Sequence, residues 1–166
     1  MRTLILTFLA VIYTSPAIAE GASEAFRSTD YPLPRFVSLR SDEVFVRSGP
    51  GRKYPVQWVF KKKGIPVEVV LEYDVWRKIK DAEGEQGWVH KSLLSGKRTG
   101  LIQGEQKISI YKKQNQNSTV LAYFEPNVQV ELDECSENWC RVIASGYKGW
   151  VPQKHIWGVY EAENFD

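Results

Sequence analysis

The stretch that decides the fold runs from Trp76 to Val89. It begins with Trp76-Arg77-Lys78-Ile79, passes through the polar turn Asp81-Ala82-Glu83-Gly84, and ends with Gly87-Trp88-Val89. Two short strand-like runs on either side of a glycine-containing turn predict a β-hairpin. The pattern returns in Trp139-Cys140-Arg141-Val142 and Gly149-Trp150-Val151, where Trp139 follows Trp76 by 63 residues. A repeat of about sixty residues predicts two copies of one structural unit.

Alternating apolar residues predict further strands in both copies. Val44 and Val46 of the first copy are expected to correspond to Ile108 and Ile110 of the second. In the same way, we align the run Val67, Val69, Leu71 with the run Val128, Val130, Leu132. Short strands separated by frequent turns are typical of small barrels or sandwiches, and almost no helix is expected.

The first residues have the composition of a secretory signal. Arg2 and an apolar run from Leu4 to Tyr13 precede the small residues of Ala17-Ile18-Ala19, which predicts cleavage between Ala19 and Glu20. A membrane anchor is the alternative, but the apolar run is about half of the ~20 residues that cross a bilayer. We therefore expect an exported protein, periplasmic or secreted, with no stable membrane insertion after cleavage.

The chain is divided by composition into five segments. The signal at 1–19 is followed by an extended lead-in at 20–35, a first domain at 36–98, a second domain at 99–160, and a flexible acidic tail at 161–166. The whole chain has 22 basic and 20 acidic residues, and a near-neutral exported chain is not expected to bind nucleic acid. The first domain is net basic and the rest net acidic, which we interpret as two solvated surfaces rather than as attraction between the halves or for an anionic partner.

Two cysteines lie close together, at Cys135 and Cys140. In an oxidising compartment, an even pair around a tight turn predicts a disulfide. A catalytic thiol assisted by His155 is the alternative, but no motif supports it. We therefore predict a structural disulfide.

Strand parity places the tryptophans. If Ile79 and Val89 face the core, Trp76, Lys78 and Trp88 lie on the opposite face. The second copy has the same pattern, so each copy is expected to place a basic residue between two tryptophans, in reach of a cation–π contact. These indoles form either a ligand groove or surfaces covered by loops or by the other copy. Trp76 and Trp139 lie beside a loop, which favours a role in a ligand groove. Trp88 and Trp150 lie beside glycines, which favours burial under loops or under the other copy.

Several blocks together resemble the bacterial SH3-like domain family. They are Val44-Phe45-Val46-Arg47-Ser48-Gly49-Pro50-Gly51, Pro66-Val67-Glu68-Val69, Trp76-Arg77-Lys78-Ile79 and Gly87-Trp88-Val89, with a second set from Cys135 to Val159. The resemblance implies an all-β fold of two tandem, small SH3-like, partly open β-barrels. It also implies a non-catalytic envelope protein that recognises peptidoglycan or its stem peptides. Residues carried over as ligand-binding candidates are Arg47, Ser48, Tyr54, Trp76, Trp88 and Trp139.

An enzyme is the competing class, and the sequence does not favour it. General acid–base or nucleophilic catalysis needs a positioned base or an activated nucleophile. His90 and His155 do not occupy equivalent positions in the two copies, and no zinc spacing or phosphate loop is present. We therefore expect a monomeric binding module without cofactor or metal. A protein–protein module or scaffold that binds another envelope protein is the alternative function.

Overall fold

The computed structural model describes residues 29–166. The predicted signal segment, its cleavage position between Ala19 and Glu20, and the first part of the lead-in lie outside the described residues. Within 29–166, no helix has the length and apolar character needed to span a bilayer.

Fourteen strands and two short 3₁₀ turns make up the described chain. The strands of the first barrel are β1 Arg35–Leu39, β2 Val44–Arg47, β3 Val56–Phe60, β4 Pro66–Tyr73, β5 Trp76–Lys80, β6 Gln86–His90 and β7 Leu94–Ser95. Those of the second are β8 Thr99–Ile102, β9 Ile108–Tyr111, β10 Val120–Phe124, β11 Gln129–Ser136, β12 Trp139–Ala144, β13 Tyr147–Pro152 and β14 Ile156–Trp157. The 3₁₀ turns are Lys91–Leu93 and Gln153–His155.

The two barrels have the same strand order. The first sheet runs β3-β2-β6-β5-β4-β1-β7 and the second β10-β9-β13-β12-β11-β8-β14, which is the same order shifted by seven strands. The prediction of an all-β protein with two tandem, partly open barrels is confirmed. Strand β1 was not predicted and begins at Arg35, inside the segment expected to be an extended lead-in. It is defined by its antiparallel pairing with β4 on one side and with β7 on the other, which the sequence around Pro32 and Pro34 does not reveal.

The premise that the apolar residues of each hairpin face the core is correct. Ile79 and Val89 are fully buried in the first barrel, as are Val142 and Val151 in the second. The alignment of the β4 and β11 runs was wrong, however. Val69 pairs with Ile79 and Leu132 pairs with Val142, so Val69 corresponds to Leu132 rather than to Val130.

A β-bulge lies at the same place in both copies. The register shifts between Val69 and Leu71 in β4, and between Leu132 and Glu134 in β11. A bulge adds one residue to one strand and reverses the side-chain alternation beyond it. Leu71 is therefore only half-buried, while Glu72 turns into the protein and is fully buried.

The residue pair just after the bulge is linked differently in the two barrels. In the first barrel, Glu72 is the cross-strand partner of Arg77, and the Arg77 Nε lies 3.2 Å from the Glu72 Oε1. In the second barrel, the equivalent partners are Cys135 and Cys140, which form a disulfide with their Cα atoms 4.1 Å apart. The predicted pairing of the cysteines is thus present. The same strand pair is linked by an ion pair in one copy and by a covalent bond in the other.

The end of the chain packs against this disulfide. The Cys135 N–H donates to the Phe165 carbonyl at 2.8 Å, and the Phe165 N–H donates to the Cys135 carbonyl at 3.0 Å. Arg98 lies over the Phe165 ring at 4.3 Å and bonds the Glu163 carboxylate at 2.7 Å. The structure therefore differs from the expectation of a frayed tail at 161–166, because Phe165 and Glu163 have specific partners.

Aromatic side chains join the two barrels. Phe36 of β1 meets Trp157 edge to face at 5.1 Å and Tyr160 at 4.8 Å, and the Lys80 ammonium lies 5.6 Å from the Trp157 ring. The Tyr160 hydroxyl donates to the Glu68 Oε1 at 2.9 Å. Burial is the largest cause that raises the pKa of Tyr160. The hydrogen bond to Glu68 and the negative charge of Glu68 raise it further, so the phenol stays a hydrogen-bond donor.

Gly87 is required by the packing of the hairpin. A Cβ at this position would lie 3.1 Å from the Arg47 carbonyl oxygen and would collide with the Val46 side chain. We expect Gly87→Ala to lower the free energy of unfolding by about 1–3 kcal/mol, measured by urea denaturation. Gly96→Ala is the control because a Cβ there meets no atom within 4 Å. Equal stability of the two variants would contradict the packing argument.

Candidate functional site

A small cavity surrounds Trp76 at one end of the first barrel, and we call it the Trp76 pocket. Its volume is about 210 Å³. Strands β2, β5 and β6, the β2–β3 loop and the first 3₁₀ turn supply its walls. The lining residues are Phe45, Arg47, Arg52, Trp76, His90, Ser92 and Leu93.

Trp76 is more buried than the groove hypothesis expects. Only 9% of its surface is exposed, and its indole meets the His90 ring edge to face at 5.6 Å. The residues that line the pocket with it all belong to the first barrel. Trp76 is therefore not covered by the second barrel, and it forms the floor of a pocket rather than an open surface.

Arg47 organises the loop beside the pocket. Its Nη1 donates to the Tyr54 carbonyl at 2.8 Å and to the Arg52 carbonyl at 3.2 Å. The Tyr54 ring lies on Gly49, where a Cβ would approach the ring to 2.6 Å. Ser48 is exposed, and its N–H donates to the Pro55 carbonyl at 3.1 Å, which closes the base of the loop. The loop is thus held in one shape, with Tyr54 packed on its own loop and absent from the pocket lining.

His90 has a defined hydrogen-bond role. Its Nδ1 accepts from the Ser92 N–H at 3.2 Å and lies 2.7 Å from the Ser92 hydroxyl oxygen. Because Nδ1 accepts a backbone N–H, the neutral ring carries its proton on Nε2. The Nε2–H is therefore a donor.

The Trp76 pocket combines an aromatic floor with basic side chains. Arg47, Arg52 and His90 line it, and among residues 29–166 no acidic side chain does. Carboxylates and phosphates are the groups whose geometry matches guanidinium donors. The arrangement therefore suits a ligand with a carboxylate and a small apolar group.

Trp88 lies apart from this pocket. It is half-buried on β6, as the Cα partner of both Arg47 and Lys78, and it does not line the Trp76 pocket. The expected cation–π contact exists in the second barrel, where Arg141 lies 5.6 Å from the Trp150 ring. In the part of the chain that the structure describes, Lys78 makes no such contact with Trp88.

Trp139 lines a larger cavity at the equivalent end of the second barrel, and we call it the Trp139 pocket. Its volume is about 600 Å³. Tyr111 replaces Arg47 as the partner of the β13 tryptophan, and Pro152 replaces His90 as the partner of Trp139. The second barrel thus keeps the aromatic side chain and lacks the counterparts of Arg47 and His90, while Lys154 is the basic residue in the lining.

The catalytic thiol considered as the alternative role of the cysteines is not present. Both cysteine sulfurs are in the disulfide, which removes the thiol alternative. Within residues 29–166, no three His, Cys, Asp or Glu side chains are arranged to hold a metal ion.

Sequence reasoning did not single out Phe45 or His90, and it included Arg52 only as part of the loop from Arg47 to Tyr54, which the family resemblance implies is ligand-facing. His90 is the direct cross-strand partner of Trp76, so counting the hairpin register from Ile79 opposite Gly87 would have found it. No strand register predicts the position of Arg52, because that position depends on how the hydrogen bonds of Arg47 fold the loop.

Comparison with known proteins supplies a family and distant relatives. The profile of the Bacterial SH3 domain matches residues 40–96 and again residues 105–158. A Bacillus subtilis (strain 168) protein, YrvJ, provisionally named an N-acetylmuramoyl-L-alanine amidase, is 23% identical over 128 residues. That match covers 71% of this chain and 24% of YrvJ, so the chain spans about a quarter of that relative.

Two solved structures are also similar. NlpC1 from Trichomonas vaginalis has 15% identity and a TM-score of 0.36, covering 78% of this chain and 47% of that chain. NlpC2 from the same organism has 14% identity and a TM-score of 0.35, covering 77% and 49%. Similarity at this level assigns no ligand.

Proposed function

Because the chain belongs to the bacterial SH3 domain family, we propose that it is a non-catalytic binding module of the bacterial cell envelope that recognises the stem peptides of peptidoglycan. The observation that carries the proposal is the Trp76 pocket, in which Arg47, Arg52 and His90 lie around Trp76 and the described part of the chain contributes no acidic residue. Stem peptides offer free carboxylates beside small alkyl side chains, which is the combination that this lining suits.

The match to YrvJ supports the cell wall as the location of the ligand. The name of YrvJ refers to the bond between N-acetylmuramic acid and L-alanine, where a stem peptide joins its glycan strand. The chain matches only about a quarter of YrvJ, so the amidase activity is not carried over. Export to the envelope, periplasmic or beyond, is part of this proposal.

Co-sedimentation with purified, protein-free sacculi tests the proposal. We expect the protein to pellet with sacculi, and Trp76→Ala to weaken binding about thirtyfold, as for a central aromatic anchor. Arg52→Ala is expected to weaken binding roughly tenfold because one charge-assisted bond is lost. Its matched control is Lys62→Ala, which removes the same charge from an exposed turn outside the pocket.

Two outcomes would reject the proposal. One is that the intact protein stays in the supernatant. The other is that Arg52→Ala and Lys62→Ala weaken binding equally, which would show non-specific attraction of a basic surface. Circular dichroism of each variant separates lost binding from lost folding.

Binding of an envelope protein is the second candidate function. It is favoured by exposed apolar side chains on the edge strand β10, where Val120, Leu121 and Tyr123 are 37%, 39% and 63% exposed. An open edge can accept an extended segment of another protein as an added strand. This function becomes the leading one if the intact protein does not bind sacculi.

A further inference from the structure

The Trp139 pocket differs in chemistry from the Trp76 pocket. It is formed where the start of β12 faces the second 3₁₀ turn, and the segment after β14 closes one side. Its lining residues are Gln103, Gln116, Asn138, Trp139, Pro152, Gln153, Lys154, Ile156, Trp157, Val159, Tyr160 and Glu161. Three of these side chains are aromatic, and four carry a carboxamide group.

The aromatic walls are fixed before any ligand arrives. Trp139 is held edge to face by Tyr111, with ring centroids 5.7 Å apart and planes at 87°. Trp157 is held by Phe36 in the same geometry, at 5.1 Å and 86°. Both indoles are half-buried, so each keeps part of its surface open. Rigid aromatic walls bind with little loss of conformational entropy.

The polar groups of the pocket are mainly uncharged. Gln103, Gln116 and Asn138 are exposed, and their side-chain amides make no hydrogen bond within residues 29–166. Each amide can both donate and accept. The two ionic residues, Lys154 and Glu161, have opposite charges, so the lining has no net charge.

We propose that the Trp139 pocket binds a neutral, N-acetylated saccharide. The C–H faces of a pyranose ring are apolar and stack on indole surfaces, while hydroxyl and acetamido groups pair with carboxamides. A cavity of about 600 Å³ holds about two sugar rings. An acidic peptide gains less here than in the Trp76 pocket, because Tyr111 and Pro152 replace Arg47 and His90, and Glu161 offsets the charge of Lys154 in the lining. The inference concerns a separate site and stands whether or not the Trp76 pocket binds peptide.

Calorimetric titration with the N-acetylglucosamine tetramer tests the inference. We expect saturable binding that Trp139→Ala weakens about tenfold or more, and that Gln116→Ala weakens about threefold. Gln116 is exposed, so its replacement leaves folding intact. Trp76→Ala should leave saccharide binding unchanged, which separates this site from the stem-peptide site. The tetramer of glucose, which lacks acetamido groups, should bind at least about tenfold more weakly.

Three results would overturn the inference. The first is no saturable binding of the N-acetylated tetramer by the intact protein. The second is equal weakening by Trp76→Ala and Trp139→Ala. The third is binding of a carboxylate-bearing stem peptide that Trp139→Ala abolishes and Trp76→Ala does not, which would make this pocket the peptide site.

Discussion

Replacing Glu72 by Gln is expected to lower the free energy of unfolding by about 3–5 kcal/mol. Glu72 has no exposed surface, and it accepts from Arg35 Nη2 at 2.6 Å and from the Thr29 hydroxyl at 2.8 Å. Arg77, which is 4% exposed, pairs with the same carboxylate. A neutral amide would leave the buried charge of Arg77 without its counter-charge, which is the costly way to break a buried ion pair.

The pH dependence of this effect has a definite sign. Burial raises the pKa of Glu72, but the bonds from Arg35 and Thr29 and the charges of Arg77 and Arg35 outweigh it and lower the pKa from 4.5 to about 2. A carboxyl whose pKa is lower in the folded state stabilises the fold above its unfolded pKa. The stability difference between the wild type and Glu72→Gln should therefore be complete at neutral pH and shrink as the pH falls from about 4.5 towards 2.

Urea denaturation across this pH range measures the difference. Glu43→Gln is the matched control, because Glu43 pairs with Lys61 on the surface and both side chains are exposed. An exposed pair contributes about 0–1 kcal/mol, so this control should change little. If Glu72→Gln were no more damaging than Glu43→Gln, or if its effect did not diminish in acid, the buried carboxylate would not have the role assigned to it.

The bulge explains why the ion pair could not be predicted from the sequence. Alternation from Val67 and Val69 places Leu71 in the core and Glu72 outside. The register shift after Val69 reverses this, so that the glutamate is buried and the leucine is partly exposed. The position of the extra residue is set by the pairing of β4 with β5, and the sequence of β4 alone does not show it. The repeat does contain this information, because the correct alignment of the two copies makes Glu72 equivalent to Cys135 and Arg77 equivalent to Cys140.

The hairpin was predictable because both strands, the turn and the glycine that lets β2 approach lie within Trp76 to Val89. The premise that Ile79 and Val89 face the core is correct, since both are fully buried. The site was predictable only in part. Trp76 and Arg47 belong to motifs of the family that the chain resembles, and the structure places them in one pocket. Trp157 and Tyr160 were missed, because their positions depend on contacts between the barrels.

Reducing the disulfide is expected to destabilise the second barrel selectively, by about 2 kcal/mol for so short a loop. Cys135 and Cys140 are 1% and 0% exposed and face each other across β11 and β12, so the bond closes a short loop inside the core. Loosening β11 should also release the Phe165 contacts, because both of their hydrogen bonds are made to the Cys135 backbone. The first barrel has the Glu72–Arg77 pair at this position, which a reductant does not affect.

Hydrogen exchange with and without reductant measures this difference barrel by barrel. We expect faster exchange in residues 99–166 after reduction, with residues 36–98 changed little, and intact mass spectrometry should find the oxidised protein two hydrogens lighter. A variant with both cysteines replaced by alanine should exchange like the reduced protein, and reductant should not change its exchange. Equal loss of protection in both barrels would instead mean that they unfold as one unit, joined through Phe36, Trp157 and Tyr160. In that case the disulfide would stabilise the first barrel through the contacts between the barrels.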